Sequence, residues 1–403
     1  MLSRRVEPGD GLGRARDRGV GQPHHAVEIE HPIHVCKDGA IPRFASFPGI
    51  RYDTDDLSSV TAPPYDVIDD DERAALVAQH PHNVVRIDLP RGEDAYVAAA
   101  ALFQQWQDEG VLVVDEPSLY LYRMDGHTLG VIGALGLEPP GEGDVLPHEH
   151  TTPKARSDRL DLLRTTHANL SPVWGLSLAS GLSKLLDPSS ATSLGSWRDG
   201  DGITHELWRV SDADTITRIV ESVSSAPVVI ADGHHRYETC LAFSKERPDL
   251  EHASATMCFV VELAPDQLTV QPIHRLIRNV ALSDLETALA MEYDIDAGDE
   301  SGLALVTSDG TRALRRRDDG TEIDSVVLHR ALDRLPDADV TFQHGVENVE
   351  RAVRSGAADA GILLRGVTVD QITAYANARE KMPPKSTFFY PKLRTGTVFR
   401  SLD

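Results

Sequence analysis

The sequence predicts an α/β protein with mixed sheets (α+β in part), on three observations. Short apolar runs rich in Val and Ile alternate, along 403 residues, with segments whose apolar positions recur at helical spacing. One such run, Ala226-Pro227-Val228-Val229-Ile230-Ala231, ends in Asp232-Gly233 and passes directly into a helical pattern, the sequence form of a buried strand, a tight turn and a helix start. Elsewhere Asp125-Gly126 joins two apolar runs as a hairpin signal, so antiparallel pairs are expected beside the strand–helix units. A chain this long is expected to fold as more than one domain.

Taken in order, residues 1–40 carry Gly, Arg, Pro and His without a sustained period and are expected to be a disordered extension. Folding is expected to begin near Ile41-Pro42-Arg43-Phe44, followed by a turn at Ala62-Pro63-Pro64-Tyr65-Asp66. Asp69-Asp70-Asp71-Glu72 starts a helix through Ala78, with acids in the first turn as the helix dipole favours. Residues 83–89 read as a strand, and 96–109 as a helix closed by Gly110. Strands are expected over 118–123, 130–137, 173–178, 257–263 and 268–272, with a helix over 215–222. The last third alternates helices with short strands.

Composition narrows the function classes. A formal net charge of −23, from 63 acidic and 40 basic residues, repels nucleic acid and anionic membranes at long range. No apolar run approaches the roughly 20 residues of a membrane span, and Arg4 and Arg5 are followed by no apolar signal region. Cys36, Cys240 and Cys258 form no C-x-x-C pair, which together with the rest points to the cytoplasm. The chain has no P-loop, no G-x-G-x-x-G after a strand and no G-x-S-x-G.

Several clusters carry the chemistry. Gly233, His234, His235 and Arg236 follow a strand and open a helix, where unpaired N–H groups and the positive dipole end attract phosphate. The plainer alternative is a turn with solvated histidines. Asp232 reads equally as a helix cap and as a group that holds a metal or orients His234. Pro147-His148-Glu149-His150-Thr151 places a carboxylate between imidazoles just before a helix, so Glu149 is a candidate general base with His148 beside it. Lys154, Arg156 and Arg159 follow within two turns, a conspicuous basic cluster in an acidic chain and a candidate anion site. Lys385, Ser386 and Lys392 near the end are candidates for binding a substrate carboxylate, or else snorkelling residues. Tyr65 and Asp66 are further candidates with an equally good structural reading as a turn, and His167, Asn169, His274 and Arg275 are candidates for which the structural reading is the better one. Adjacent histidines point apart on a helix and no H-E-x-x-H occurs, so a transition-metal site ranks below a phosphate site.

Ala62-Pro63-Pro64-Tyr65-Asp66-Val67-Ile68, Pro147-His148-Glu149, Ala231-Asp232-Gly233-His234-His235-Arg236-Tyr237-Glu238 and the terminal Met382-Pro383-Pro384-Lys385-Ser386-Thr387, with Phe389-Tyr390-Pro391-Lys392, occur in one order. In these motifs the chain resembles the family catalogued as domain of unknown function 1015, from about Ile41 to the end. The central part of that family resembles the ParB/sulfiredoxin superfamily, which includes nucleotide-binding partition proteins and kinases of free serine. The resemblance implies a ParB/sulfiredoxin-like nucleotide-binding domain over about 118–265, flanked by α/β parts at 41–117 and 266–403. It implies a phosphotransferase moving a phosphoryl group from ATP or ADP, with Mg²⁺, to the hydroxyl of a small amino acid, free L-serine first. Glu149 then matches the base of the serine kinases, and Gly233-His234-His235-Arg236 their phosphate-binding turn. A metal-dependent phosphoesterase and a nucleotide-binding switch or adaptor without small-molecule chemistry remain open alternatives. The partners expected are a nucleotide and an amino acid, with neither nucleic acid nor membrane.

The charge argument is directly testable. Plain duplex DNA should show no gel shift with the purified chain even at low salt, where electrostatic binding is strongest; a salt-dependent shift would overturn the exclusion.

Overall fold

A computed structural model describes residues 42–147, 156–296, 302–318 and 320–403. The hairpin signal forms as expected. Leu119–Met124 and Thr128–Gly136 pair antiparallel through Asp125 (φ 50°) and Gly126 (φ 79°), the two positive φ values that a tight hairpin turn needs. This hairpin lies within a nine-stranded mixed sheet. Its order is Val145–Pro147, Val228–Asp232, Val173–Ser177, Ala255–Glu262, Thr128–Gly136, Leu119–Met124, Thr204–Val210 and Thr192–Arg198, with Phe44–Ala45 joined to Thr128–Gly136. Val228–Asp232 runs parallel to the edge strand Val145–Pro147 and antiparallel to Val173–Ser177.

The central strands are covered on both faces, which explains their near-continuous apolar sequences. Tyr122, Ile132, Trp174 and Phe259 pack on one side; Leu121, Val131, Val173 and Val260 pack on the other. Gly133 allows a close approach, because a Cβ there would lie 2.3 Å from the Phe44 ring.

Three smaller sheets complete the described fold. Leu112–Val114, Gly49–Tyr52, Phe399–Ser401 and Ala168–Asn169 form one, in that order, so the last strand is paired with segments from the first half of the chain. A six-stranded sheet over residues 274–363 has its own core around Ile277, Leu305, Val327 and Ile362. Thr269–Gln271 pairs with Phe388–Tyr390, drawing the terminal motif toward the middle of the fold. Residues Ala40–Asp403 form one compact unit.

The helices mostly follow the sequence pattern. Asp69 caps Asp70–Gln79 by accepting from the Glu72 N–H at 2.8 Å. Ala95–Asp108, Ala213–Val223 and His234–Glu246 lie where helical spacing places them. The strand expected over 83–89 is corrected to the short helix Val85–Asp88. Buried Asn83 decides this: its Oδ1 accepts from the Val85 N–H at 3.0 Å, and its Nδ2 donates to the carbonyls of Ser59 and Thr61. A side chain tied to the backbone in this way outcompetes the strand preference of Val84, Val85 and Ile87. No helix among the described residues is long and apolar enough to cross a membrane.

Trp174 joins the main sheet to the terminal motif, its ring 5.6 Å from Phe259 and 5.7 Å from Phe389. Trp174→Ala should cost about 3–5 kcal/mol of stability, read from denaturant unfolding followed by circular dichroism. A loss below about 1 kcal/mol would contradict this tether.

Candidate functional site

The site grows from the end of Val228–Asp232. Val228, Val229 and Ile230 are buried in the sheet, and the chain then turns at Gly233, whose φ of 87° lies in the left-handed region. Glycine suits that position twice over, because a Cβ would also lie 2.9 Å from the Arg236 guanidinium carbon. His234 opens a 13-residue helix. The strand–turn–helix expected from the sequence is therefore present, with Gly233 rather than Asp232 in the cap position.

Asp232 is the hub. Its Oδ2 accepts from Arg236 Nη2 at 2.7 Å, and its Oδ1 accepts from Lys392 Nζ at 2.9 Å. Burial by itself would push this carboxyl up, but the charges of Lys392 and Arg236 outweigh it and hold it at about 2. Arg236 also donates to the Pro172 carbonyl and to Ser171 Oγ, at the start of the neighbouring strand. Lys392 lies 4.7 Å above the Phe388 ring, and His344 packs on the same ring with centroids 4.1 Å apart. Burial pushes the His344 imidazole down, and the charges of Lys392 and Lys385 add to this. With two cations sharing one carboxylate, the turn carries net positive charge at the positive end of a helix.

A second cluster adjoins Arg236. Arg159 pairs with buried Asp88 at 3.0 Å and donates to its carbonyl at 2.7 Å, while its guanidinium lies 4.2 Å over the Tyr65 ring. Burial pushes the Asp88 carboxyl up against the pull of Arg159 and Arg236. Tyr65, Asp88, Arg159, Arg236, Thr239 and Cys240 line a small cavity of about 50 Å³. Thr239 Oγ1 is buried and has no hydrogen-bond partner among the described residues.

The fold thus brings Asp232, Gly233, His234, His235, Arg236 and Lys392 to one place, with Arg159 beyond Arg236. His235 Nδ1 is buried 4.0 Å from Glu238 Oε2, too far for a hydrogen bond. Ser386 Oγ lies 2.9 Å from Ser325 Oγ and donates to the Pro383 carbonyl at 2.8 Å. Lys385 takes a left-handed φ of 58°, and its carbonyl accepts from Arg275. His148, Glu149 and Lys154 lie outside the described residues, as does the Arg156 side chain.

Pro147, two residues before Glu149 in sequence, pairs in parallel with Ile230, two residues before Asp232, so the two strands run in the same direction. Arg156–Thr166 then packs on the motif helix, with Leu163 against Cys240 and Phe243, and Arg164 paired to Glu246 at 2.7 Å. Sequence reasoning missed Asp88, Thr239, Phe388 and His344. An acid within the apolar run Val84–Leu89 was the available signal for Asp88, since a buried carboxylate calls for a cation.

No group of three or more His, Cys, Asp or Glu side chains able to hold a metal occurs among the described residues. Both oxygens of Asp232 are already taken by cations, so these residues do not fit a resident metal ion.

With this geometry in place, the chain belongs to the family described as Protein of unknown function (DUF1015), whose model matches residues 44–335. No curated protein matches it. Among solved structures it is similar to a conserved hypothetical protein from Pyrococcus furiosus at 11% identity and TM-score 0.35, covering 63% of this chain and 92% of that one. A free serine kinase in complex with AMP is similar at 11% identity and TM-score 0.35, covering 63% and 89%. SbnI with a C-terminal truncation, from Staphylococcus aureus, is similar at 12% identity and TM-score 0.41, covering 66% and 85%.

The Asp232 hub has a pH signature. A carboxyl held at about 2 contributes stability that is complete above its ordinary value of 3.8 and is lost as pH falls through 2. The stability gap between the wild type and Asp232→Asn should therefore narrow by about 2 kcal/mol as pH falls from about 5 to about 2, measured by urea unfolding. A gap independent of pH would show that the ion pairs are not formed.

Proposed function

We propose that this chain is a phosphotransferase that moves a phosphoryl group from ATP or ADP to the hydroxyl of a small amino acid, with free L-serine the first acceptor to test. The parallel pairing of Ile230 with Pro147 carries this reading. Two parallel strands at one sheet edge lead in sequence into the Pro-His-Glu segment and into the Asp-Gly-His-His-Arg turn, which supports a candidate base and a candidate phosphate cradle acting together. The cradle is cationic within a chain of net charge −23, so its local field opposes the global one and favours an anion there.

Phosphoryl transfer through a loose transition state needs positioning and charge neutralisation above all. The first turn of His234–Glu246 supplies backbone N–H groups, and Arg236 and Lys392 supply charge. The acceptor oxygen attacks the terminal phosphorus, the bond to the nucleotide oxygen breaks, and Glu149 takes the hydroxyl proton. His148 flanks that base, and Lys154, Arg156 and Arg159 are the groups for the remaining anions, with Lys385 and Ser386 farther along the terminal motif. Mg²⁺ enters as part of the nucleotide substrate. A carboxyl held at about 2 is a poor proton acceptor near neutral pH, so Asp232 acts as a positioning residue for Arg236 and Lys392. The reading suits the cytoplasm, where nucleotide and free amino acid meet.

Phosphorus NMR tests it, with purified protein, Mg²⁺, ATP or ADP, and serine. A phosphoserine signal should require both nucleotide and serine, and Glu149→Gln should lower the rate by about 10²–10⁴ while nucleotide still binds. Wild-type turnover in Glu149→Gln would remove that residue from the mechanism. Nucleotide binding with no phosphorylated product would favour the switch, and phosphate released from phosphomonoesters with added Zn²⁺ or Mn²⁺ would favour the phosphoesterase.

A further inference from the structure

A second and larger cavity, of about 470 Å³, lies away from the motif turn. That volume is in the range of small-molecule sites. Its floor is apolar: Phe47, Ile50 and Phe103 are each 5% exposed or less. One charged group in its wall is nearly inaccessible, Arg400, at 4% exposure.

Arg400 is an unusual cation for this chain. Its Nη1 donates to the Ala255 carbonyl at 3.1 Å and to Asn169 Oδ1 at 3.4 Å, and its Nη2 donates to the His252 carbonyl at 2.8 Å. Nε has no partner, and no carboxylate among the described residues pairs with the guanidinium. Burial pushes its pKa down to about 10. Three further buried arginines, Arg159, Arg316 and Arg394, each have an aspartate within 4 Å, at Asp88, Asp324 and Asp199. A buried charge without a counter-ion is costly, and fold stability alone gives no reason to retain it beside a cavity.

We propose that this cavity binds a small carboxylic acid with an apolar body, its carboxylate neutralised by Arg400 and its body resting on Phe47, Ile50 and Phe103. Arg400 is the only Lys or Arg among the described residues that line the cavity, and one guanidinium matches a single negative charge better than a phosphate dianion. The Asp403 carboxylate at the rim, paired with His167 at 2.7 Å, disfavours a second negative charge further. The site is independent of the phosphotransfer reading, although Asn169, in the wall of the smaller cavity, bonds to Arg400 in the wall of the larger. Asn169 Oδ1 accepts from Arg400, and its Nδ2 donates at 3.3 Å to Cys240 Sγ on the motif helix, where both residues line the smaller cavity.

Phenylacetate and its uncharged isostere phenylacetamide are the probes, with binding read by ligand-observed NMR and calorimetry on the full chain. Phenylacetate should bind at least roughly tenfold more tightly than the amide, as a charge-assisted contact predicts. Arg400→Met should abolish that preference. Ala100→Phe, which fills the cavity from the helix Ala95–Asp108 without touching Arg400, should abolish binding of both while the protein stays folded by circular dichroism. Equal affinity for acid and amide would overturn the proposal. So would no binding of either at millimolar concentration, unchanged binding in a folded Ala100→Phe, or displacement of phenylacetate by equimolar inorganic phosphate.

Discussion

Asp232 accepts hydrogen bonds from two cations of different origin. Arg236 lies one helical turn ahead of it, and Lys392 lies 160 residues away in sequence. The carboxylate thereby fixes the first turn of the motif helix, the position of the terminal motif against the main sheet, and a local excess of positive charge. Gly233 makes the arrangement possible, since its backbone turns through the left-handed region and leaves room for the Arg236 guanidinium. Lys392 has a further anchor in the Phe388 ring, which belongs to the strand paired with Thr269–Gln271. A single residue thus couples backbone geometry, electrostatics and the closing of the chain.

The same principle recurs elsewhere with different outcomes. Asp88 and Arg159 pair in a buried site beside Tyr65, Asp324 gathers Arg316 and Arg365, and Asp115 gathers Arg51 and Arg209. In each case the acid offsets the desolvation of a guanidinium, and removing one partner would strand the other. Arg400 departs from this pattern: its Nη1 and Nη2 donate to carbonyl and amide oxygens, and its buried Nε has no partner. In a molecule with 63 acidic residues, a buried arginine without one is a choice of placement rather than of supply.

Topology explains how a site assembles from distant segments. Val145–Pro147 adds to the sheet edge in parallel with Val228–Asp232, and the helices that follow each strand pack on one another. The strand Phe399–Ser401 inserts between Gly49–Tyr52 and Ala168–Asn169, binding the end of the chain to its earlier parts. Loop closure over such separations is entropically costly but grows only slowly with length, so the buried cores can offset it.

By itself, the sequence determined the mixed α/β class, the hairpin at Asp125-Gly126, the helices with acidic or glycine boundaries, and the strand–turn–helix at Asp232-Gly233. These are local features, written in periodicity and turn chemistry over a few residues. It also marked His234, His235, Arg236, Arg159 and Lys392 as unusual, because basic clusters stand out in an acidic chain. Only the tertiary structure decided that Lys392 meets Asp232 while Ser386 turns to Ser325, that residues 85–88 are helical, and that Asp88, Thr239 and Arg400 line cavities. Those outcomes depend on strand order and on which buried charge finds which partner. Both are settled by packing between segments far apart in the chain, a competition that no local pattern records.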